Sequence, residues 1–303
     1  IVQRVGGSWL DSAGCTWNGL VNFTLPDRDV FAMNANTLVP GSIFTSVGTI
    51  LFNMATNPVT GKVYVSNTES RNLTRFEGPG SFGGSTVQGH LSEARITVLD
   101  PAGPTAAPKH LNQHIDYDQL HTDPGADHAA IDAQIQHSLA TPLQVVVSDD
   151  PVDQKVYVAA FGSARIGVFD ASDLEDPSFA ANFDPTSASA GYIPTGGGPA
   201  GLALSDANDR LFVLTRFDNS VSVYAVGGAG GSTLLQKMKL PTPEPASVVE
   251  GRPFLYDAVA TSVNGETSCA SCHLFGDLDG LAWNLGNPDD VVTTNPQPQV
   301  NGS

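Results

Sequence analysis

The chain is poor in positive charge and in cysteine. Of its 303 residues only 14 are Lys or Arg, against 31 Asp or Glu, so the formal net charge is −17 at pH 7. A nucleic acid is therefore not an expected partner, because phosphate contacts need a basic surface. The three cysteines are too few for a disulfide framework. The sequence also has no run of about 18 apolar residues, so no membrane-spanning helix is predicted.

Glycine and proline are abundant, with 31 and 21 residues. Hydrophobic residues make up 41% of the chain, which is enough for a sizeable core, and charged residues only 15%. This balance argues against a coiled coil and against a disordered acidic chain, and the length fits one large all-β domain or two smaller domains. The chain begins with Ile1 rather than Met. Two expectations stay open: a leader has been removed, or the sequence is a piece of a longer protein.

Three segments of the chain repeat one pattern, a polar turn followed by a short strand rich in β-branched and aromatic residues. They cover residues 57–67, 149–159 and 206–215. An apolar strand precedes each segment, at residues 50–54, 143–147 and 201–204. A further strand follows each one, at residues 95–100, 165–170 and 220–224. Strand–turn–strand units that recur in this way favour the blades of a β-propeller, and a β-sandwich is the alternative.

We therefore predict an all-β fold, with a complete or partial β-propeller over residues 1–260. A polar, histidine-rich stretch at about residues 101–141 is predicted to be a long loop inserted into the propeller. Residues 261–303 form a short C-terminal segment that carries two of the three cysteines.

Five further elements are predicted from local patterns. Residues 29–34 are predicted as the last strand of a blade, and residues 253–258 as a strand of a final blade. A glycine-rich insertion at residues 78–89 delays the third strand of the first repeat. Helical periodicity is weak and is confined to residues 127–138 and to the segment with the two cysteines.

The motif that carries chemistry is Cys269-Ala270-Ser271-Cys272-His273. This C-x-x-C-H spacing is the pattern of covalent c-type haem attachment. On a helical turn the two thiols can form thioethers with both haem vinyl groups, and His273 can serve as the proximal iron ligand. A zinc site and a redox dithiol are the alternatives. Zinc would need further Cys or His ligands, and a dithiol usually lies on a βαβ unit; we predict one covalent haem c.

The second axial ligand is harder to assign. No Met or His occurs in residues 274–303, so we expect the ligand to come from upstream, from another chain or from water. The three methionines, Met33, Met54 and Met238, lie in or beside predicted strands, where methionine is usually part of the core.

Histidines are the better candidates, because five of them fall between residues 110 and 137. His110 and His114 have i, i+4 spacing, which would place them on one face of a helical turn. We predict His114 as the distal ligand, with His110 in reserve, so that His273 and His114 hold the iron. A divalent metal site with Asp116 and a solvated loop are the alternatives.

Aromatic and basic residues near the motif have predicted supporting roles. Trp283 is predicted to pack against the haem. Arg252 and Tyr256 are candidates for contacts with the haem propionates, or for ordinary packing between a blade and the haem segment.

Strand sequences such as Tyr64-Val65-Ser66-Asn67 and Tyr157-Val158-Ala159-Ala160 resemble the YVTN-type β-propeller family. Residues 245–258, the Cys269–His273 motif and residues 281–289 resemble bacterial proteins in which such a propeller runs into a c-type cytochrome segment. The likeness covers roughly residues 27–290 and is strongest at the haem end. Related proteins continue into a cytochrome c peroxidase-like region. Because bacteria attach haem covalently outside the cytoplasm, the resemblance implies a periplasmic, cell-surface or extracellular protein.

The leading functional expectation is electron transfer through one haem, with the propeller as scaffold and docking surface. Expected partners are other redox proteins or cytochromes, or copies of the chain itself, and the acidic surface favours basic partners. A haem-dependent oxidoreductase is one alternative, either peroxidase-like or oxidising a substrate on the propeller. A binding or assembly module with a structural haem is the other.

Overall fold

The computed structural model describes residues 2–11, 13–22, 27–72, 89–117, 127–179, 191–227, 231–262 and 264–283. These residues fall into two compact units. The first unit takes its residues from the ranges 1–27, 71–91 and 280–303, and it contains a hairpin of β1 (Val2–Val5) and β2 (Ser8–Asp11). The second unit comprises residues 28–70 and 92–279 and contains all the other strands and helices described below.

The second unit consists of one hairpin and three four-stranded antiparallel sheets. The hairpin pairs β3 (Val30–Met33) with β4 (Pro40–Phe44). The first sheet contains β5 (Ile50–Thr56), β6 (Val63–Ser70), β7 (Ser92–Asp100) and β8 (Thr105–His110). The second sheet contains β9 (Pro142–Val147), β10 (Lys155–Ala160), β11 (Arg165–Asp170) and β12 (Ile193–Pro194). The third sheet contains β13 (Pro199–Leu204), β14 (Arg210–Thr215), β15 (Ser220–Ala225) and β16 (Thr233–Lys239).

Each of these sheets is a simple meander, in which every strand pairs with its neighbours in sequence. The first strands of the three sheets lie side by side, with β9 between β5 and β13. In a β-propeller each blade is a four-stranded meander. The first strands of neighbouring blades lie beside one another, as they do here.

The cores show how the sheets stack. In β10, Val156 and Val158 face a core shared with the first sheet, and Tyr157 faces a core shared with the third sheet. The second sheet is therefore covered on both faces, and its strands alternate between two apolar sides. A third core joins the β3–β4 hairpin to the first sheet through Phe44 and Val65. In a two-sheet sandwich no sheet would have both faces covered, so the stacking favours propeller-like blades.

Several sequence predictions are confirmed at the level of single elements. The strand–turn–strand repeats correspond to the first three strands of each sheet, and α1 (His128–His137) forms where the weak helical pattern lies. The predicted insertion at 101–141 contains regular elements, because β8 completes the first sheet and α1 follows it. The glycine-rich segment 78–89 lies almost entirely outside the described residues.

Two strand predictions are corrected. Residues 253–258 are not a strand: α3 (Ala246–Tyr256) and then α4 (Ala258–Thr261) occupy this part of the chain. A short apolar run cannot be assigned to strand or helix by periodicity alone, which explains the error. Residues 29–34 do not end a blade either, because β3 begins a hairpin with β4. One further short helix, α2 (Ala171–Glu175), follows β11.

The expectation that the methionines are core residues is also wrong. Met33, Met54 and Met238 are 58%, 57% and 45% exposed. Each lies on an edge strand or in the two-stranded hairpin. An apolar pattern in one strand does not reveal whether a neighbouring strand or sheet covers it, and at the edges it is not covered.

Candidate haem-attachment site

The C-terminal part of the second unit lies across one end of the three sheets. Arg252 of α3 donates a 2.6 Å hydrogen bond to the carbonyl of Arg216, which follows the second strand of the third sheet. The Tyr256 ring lies 5.2 Å from the ring of Phe161, which follows the second strand of the second sheet. Farther along, the ring of Phe275 lies 6.3 Å from that of Phe52 in β5. The segment that carries the cysteines is thus held by contacts with all three sheets.

Glu266 is the strongest of these anchors. Its side chain is buried, at 2% exposure of the residue, and its carboxylate accepts four hydrogen bonds. The donors are the backbone N–H of Ala94 (3.0 Å), Nε2 of His110 (2.7 Å), Nδ2 of Asn112 (2.8 Å) and the hydroxyl of Tyr117. Because a buried carboxylate needs such partners, these bonds fix the chain three residues before Cys269.

The electrostatics of this cluster follow from burial and charge. Burial alone would raise the pKa of Glu266, but the positive charge of His110 and the hydrogen bonds it receives hold the pKa below its usual value. Burial alone would lower the pKa of His110, but the charge of Glu266 and their hydrogen bond raise it. The cluster therefore favours an ion pair between the two side chains.

The two residues before Glu266 are held by α1. The hydroxyl of Ser138, just after α1, donates a 2.8 Å hydrogen bond to the carbonyl of Asn264. Gly265 has φ +76°, and a Cβ there would lie 3.0 Å from the carbonyl oxygen of Ile135. Glycine is needed at this position both for the backbone conformation and for the close approach.

The cysteines lie on a single helical turn. Cys269–Ser271 form a 3₁₀ turn, and the carbonyl of Cys269 accepts hydrogen bonds from the N–H groups of Cys272 (3.3 Å) and His273 (3.0 Å). The i, i+3 spacing places Cys269 and Cys272 on the same side of the turn. The opposite side, with Ala270 and Ser271, is buried. Cys269 and His273 are exposed and Cys272 is half-buried, so the donor atoms lie on the accessible side.

Large apolar side chains without cover occur next to this turn. α3 lies against the turn and carries Phe254, which is 77% exposed. Phe275 and Leu278, just after His273, are 72% and 66% exposed. Clusters of exposed apolar groups on soluble proteins usually mark a binding surface. Two thiols and an imidazole at this turn, with exposed apolar side chains on the neighbouring elements, fit a covalently attached haem.

The alternative of a redox dithiol fits less well. Burial, together with the nearby Asp279 and Cys269, raises the pKa of the Cys272 thiol to about 11. Redox-active thiols have lowered pKa values, since the thiolate is the reactive form. As for a zinc site, no group of three or more His, Cys, Asp or Glu side chains converges within the described part of the chain.

The predicted i, i+4 turn of histidines is not helical. His110 ends β8 and contacts Glu266, whereas His114 follows in a turn and has its Nε2 2.9 Å from the carbonyl of Gln134. That Nε2 must carry the proton, so Nδ1 holds the lone pair, and Nδ1 is buried without a hydrogen-bond partner. Burial lowers the pKa of His114, which favours the neutral form that binds iron. The role of His114 as distal ligand stays a prediction.

The other predicted residues have the following environments. Arg252 pairs with Glu244, and Tyr256 stacks with Phe217, so both make packing contacts between α3 and the third sheet. Trp283 belongs to the first unit, and its packing against a haem stays a prediction.

Sequence reasoning missed Glu266 and the exposed apolar residues. One signal could have indicated Glu266. Between Asp257 and Asp277 the ionisable side chains are Glu266 and those of the motif, namely the two cysteines and His273. A single carboxylate in such a stretch suggests a buried partner.

Helices long and apolar enough to cross a membrane do not occur in the residues that the structure describes.

No protein-family model and no curated protein sequence matches the chain. Among solved structures, the chain is similar to hydrazine synthase of Kuenenia stuttgartiensis, with 13% identity and a TM-score of 0.44 over 64% of this chain and 51% of that one. It is similar to the periplasmic gluconolactonase PpgL of Pseudomonas aeruginosa, with 16% identity and a TM-score of 0.41 over 71% and 50%. The Swd1 β-propeller domain of Myceliophteria thermophila has 11% identity and a TM-score of 0.33 over 69% and 65%.

The chain spans about half the length of the first two structures. Likenesses at these TM-scores decide nothing about function, and the blade-like topology rests on the strand order and the cores described above.

Proposed function

We propose that the chain is an extracytoplasmic c-type cytochrome that carries one haem and transfers electrons to another redox protein. Cys269 and Cys272 hold the haem through thioethers, and His273 is the proximal iron ligand. The observation that carries the proposal is the helical turn at Cys269–Ser271, at which Cys269 and the adjoining His273 are exposed and Cys272 is half-buried. The uncovered apolar side chains beside the turn support it.

When bound, the haem supplies a one-electron couple whose potential depends on its axial ligands and surroundings. The residues of this chain hold and shield it. Glu266 fixes the chain before Cys269, which limits movement of the turn on which the iron ligand lies. Phe254, Phe275 and Leu278 are exposed on elements next to the turn and would shield a bound haem from water, and such shielding would tune its potential.

The acidic charge suggests the kind of redox partner. The formal net charge is −17, and Glu250 on α3 and Asp277 after the motif are both exposed. A partner with a basic docking face would be steered towards this surface, which speeds the encounter more than it strengthens the complex.

The test uses the full chain co-expressed with a c-type haem maturation system. We expect haem that remains on the polypeptide after denaturing electrophoresis, and its loss in the Cys269→Ala/Cys272→Ala double variant. The matched control is Cys15→Ala. It removes the remaining cysteine, which belongs to the first unit, and should keep the haem. Haem that stays covalently bound in the double variant would overturn the assignment, as would a wild-type chain without haem.

The spin state then separates a carrier from an oxidoreductase. A low-spin, six-coordinate optical spectrum supports electron transfer, whereas a high-spin, five-coordinate spectrum indicates an open iron position for chemistry.

A further inference from the structure

A cleft of about 300 Å³ lies on the third sheet beside the start of α3, apart from the cysteine turn. Its apolar wall comes from Leu214 in β14 and from Leu240, Pro241 and Pro243 after β16. Arg216 and Glu244 also line the cleft. This volume is at the lower end for ligand sites, so the cleft suits a small molecule rather than a cofactor.

The two charged groups of the cleft differ in their partners. Glu244 is already satisfied: it pairs with Arg252 and accepts hydrogen bonds from Thr242 (2.8 Å) and Asn219 (3.2 Å). These contacts hold the pKa of Glu244 at about 2, so it stays ionised and paired.

Arg216, in contrast, is exposed, and its guanidinium has no ion pair or hydrogen bond with any residue that the structure describes. The cleft therefore has one uncompensated positive charge on a chain whose net charge is −17. An anion that avoids the rest of the surface would find a favourable position here.

We propose that this cleft binds a small organic carboxylate. The carboxylate pairs with the guanidinium of Arg216, whose planar fork matches two carboxylate oxygens. The hydrocarbon part of the ligand lies on Leu214, Leu240 and the two prolines. A phosphate is a poorer fit, because one cation in a largely apolar cleft leaves most of its oxygens unpaired. The proposal does not depend on haem binding.

The test compares two probes of the same shape, 4-methylpentanoate and the neutral 4-methylpentanamide, by ligand-observed NMR titration of the full chain. We expect saturable binding of the acid. The amide should bind more weakly by about tenfold or more, because it loses the charged hydrogen bond. Equal binding of the two probes, or no saturable binding of the acid, would overturn the proposal.

A pair of variants locates the site. Arg216→Gln should weaken binding of the acid about tenfold. Because Arg252 contacts only the backbone carbonyl of Arg216, the substitution leaves the α3 contact in place. Arg210→Gln is the matched control, since Arg210 lies at the other end of β14 and pairs weakly with Asp209 at 3.9 Å. An Arg216→Gln variant that keeps a native thermal transition and binds the acid like the wild type would contradict the assignment.

Discussion

Oε1 of Glu266 lies 2.7 Å from Nε2 of His110, and this buried contact joins the chain before Cys269 to the last residue of β8. The same carboxylate accepts a hydrogen bond from the backbone of β7 through Ala94. The candidate haem turn is thus attached to the propeller-like sheets by one carboxylate with several partners. Removal of a single partner from such a buried pair leaves polar groups unsatisfied.

The first prediction concerns this anchor. Glu266→Ala should lower the free energy of unfolding by about 3–5 kcal/mol, because His110, Asn112, Tyr117 and Ala94 lose their shared acceptor. Glu250→Ala, at an exposed position on α3, is the control and should change it by less than about 0.5 kcal/mol. Urea denaturation measures both, and equal losses would show that Glu266 is not an anchor.

The second prediction is a pH dependence. The pKa of His110 is raised above 6.5 in the folded chain, so its contribution to stability is complete below pH 6.5 and is lost as the pH rises through the folded pKa. The pKa of Glu266 is lowered below 4.5, so its contribution is present above pH 4.5 and is lost as the pH falls through the folded pKa. The pair stabilises the fold most between these limits. As the pH rises through neutrality, the free energy of unfolding should decline in the wild type and change less in His110→Gln. Identical slopes in the two proteins would contradict the ion pair.

The third prediction concerns the proximal ligand. His273→Ala should abolish normal iron coordination while the sheets stay folded, because His273 is exposed and lies after the last strand in the described part of the chain. Optical spectra report the coordination and far-UV circular dichroism reports the fold. If the variant keeps the wild-type haem spectrum, His273 is not the ligand.

The fourth prediction concerns the distal ligand. His114→Ala should convert a low-spin, six-coordinate haem to a high-spin one if the buried Nδ1 of His114 binds the iron. His137→Ala is the control, because its ring lies only 6.1 Å from that of His114 and shares its surroundings. A low-spin spectrum that persists in His114→Ala would place the ligand elsewhere.

The fifth prediction follows from the acidic charge of −17. Reduction by a basic c-type cytochrome should slow by about tenfold or more from low to physiological ionic strength, since salt screens long-range attraction. Reduction by a neutral hydroquinone serves as the control and should change little. A rate with the protein partner that does not respond to salt would indicate an apolar docking face.

The strands were predictable because their signals are local. A polar turn followed by alternating apolar residues, as before Val63 and Lys155, predicts a strand wherever the sheet is covered. The cysteine turn was predictable for the same reason, since its motif spans five consecutive residues.

The remaining features depend on contacts far apart in sequence. Glu266 binds Ala94 and His110, which precede it by 172 and 156 residues, so no local pattern indicates their pairing. The helix at Phe254 and the exposure of Met54 depend likewise on which sheet lies beside them. Periodicity describes how a segment alternates, but it does not identify the segment against which it packs.

The most direct test of the central claim is the intact mass of the denatured full chain after expression with a c-type haem maturation system. We predict a species heavier than the polypeptide by one haem, which the account attributes to thioethers at Cys269 and Cys272. A chain that folds but has only the mass of the polypeptide would contradict the account.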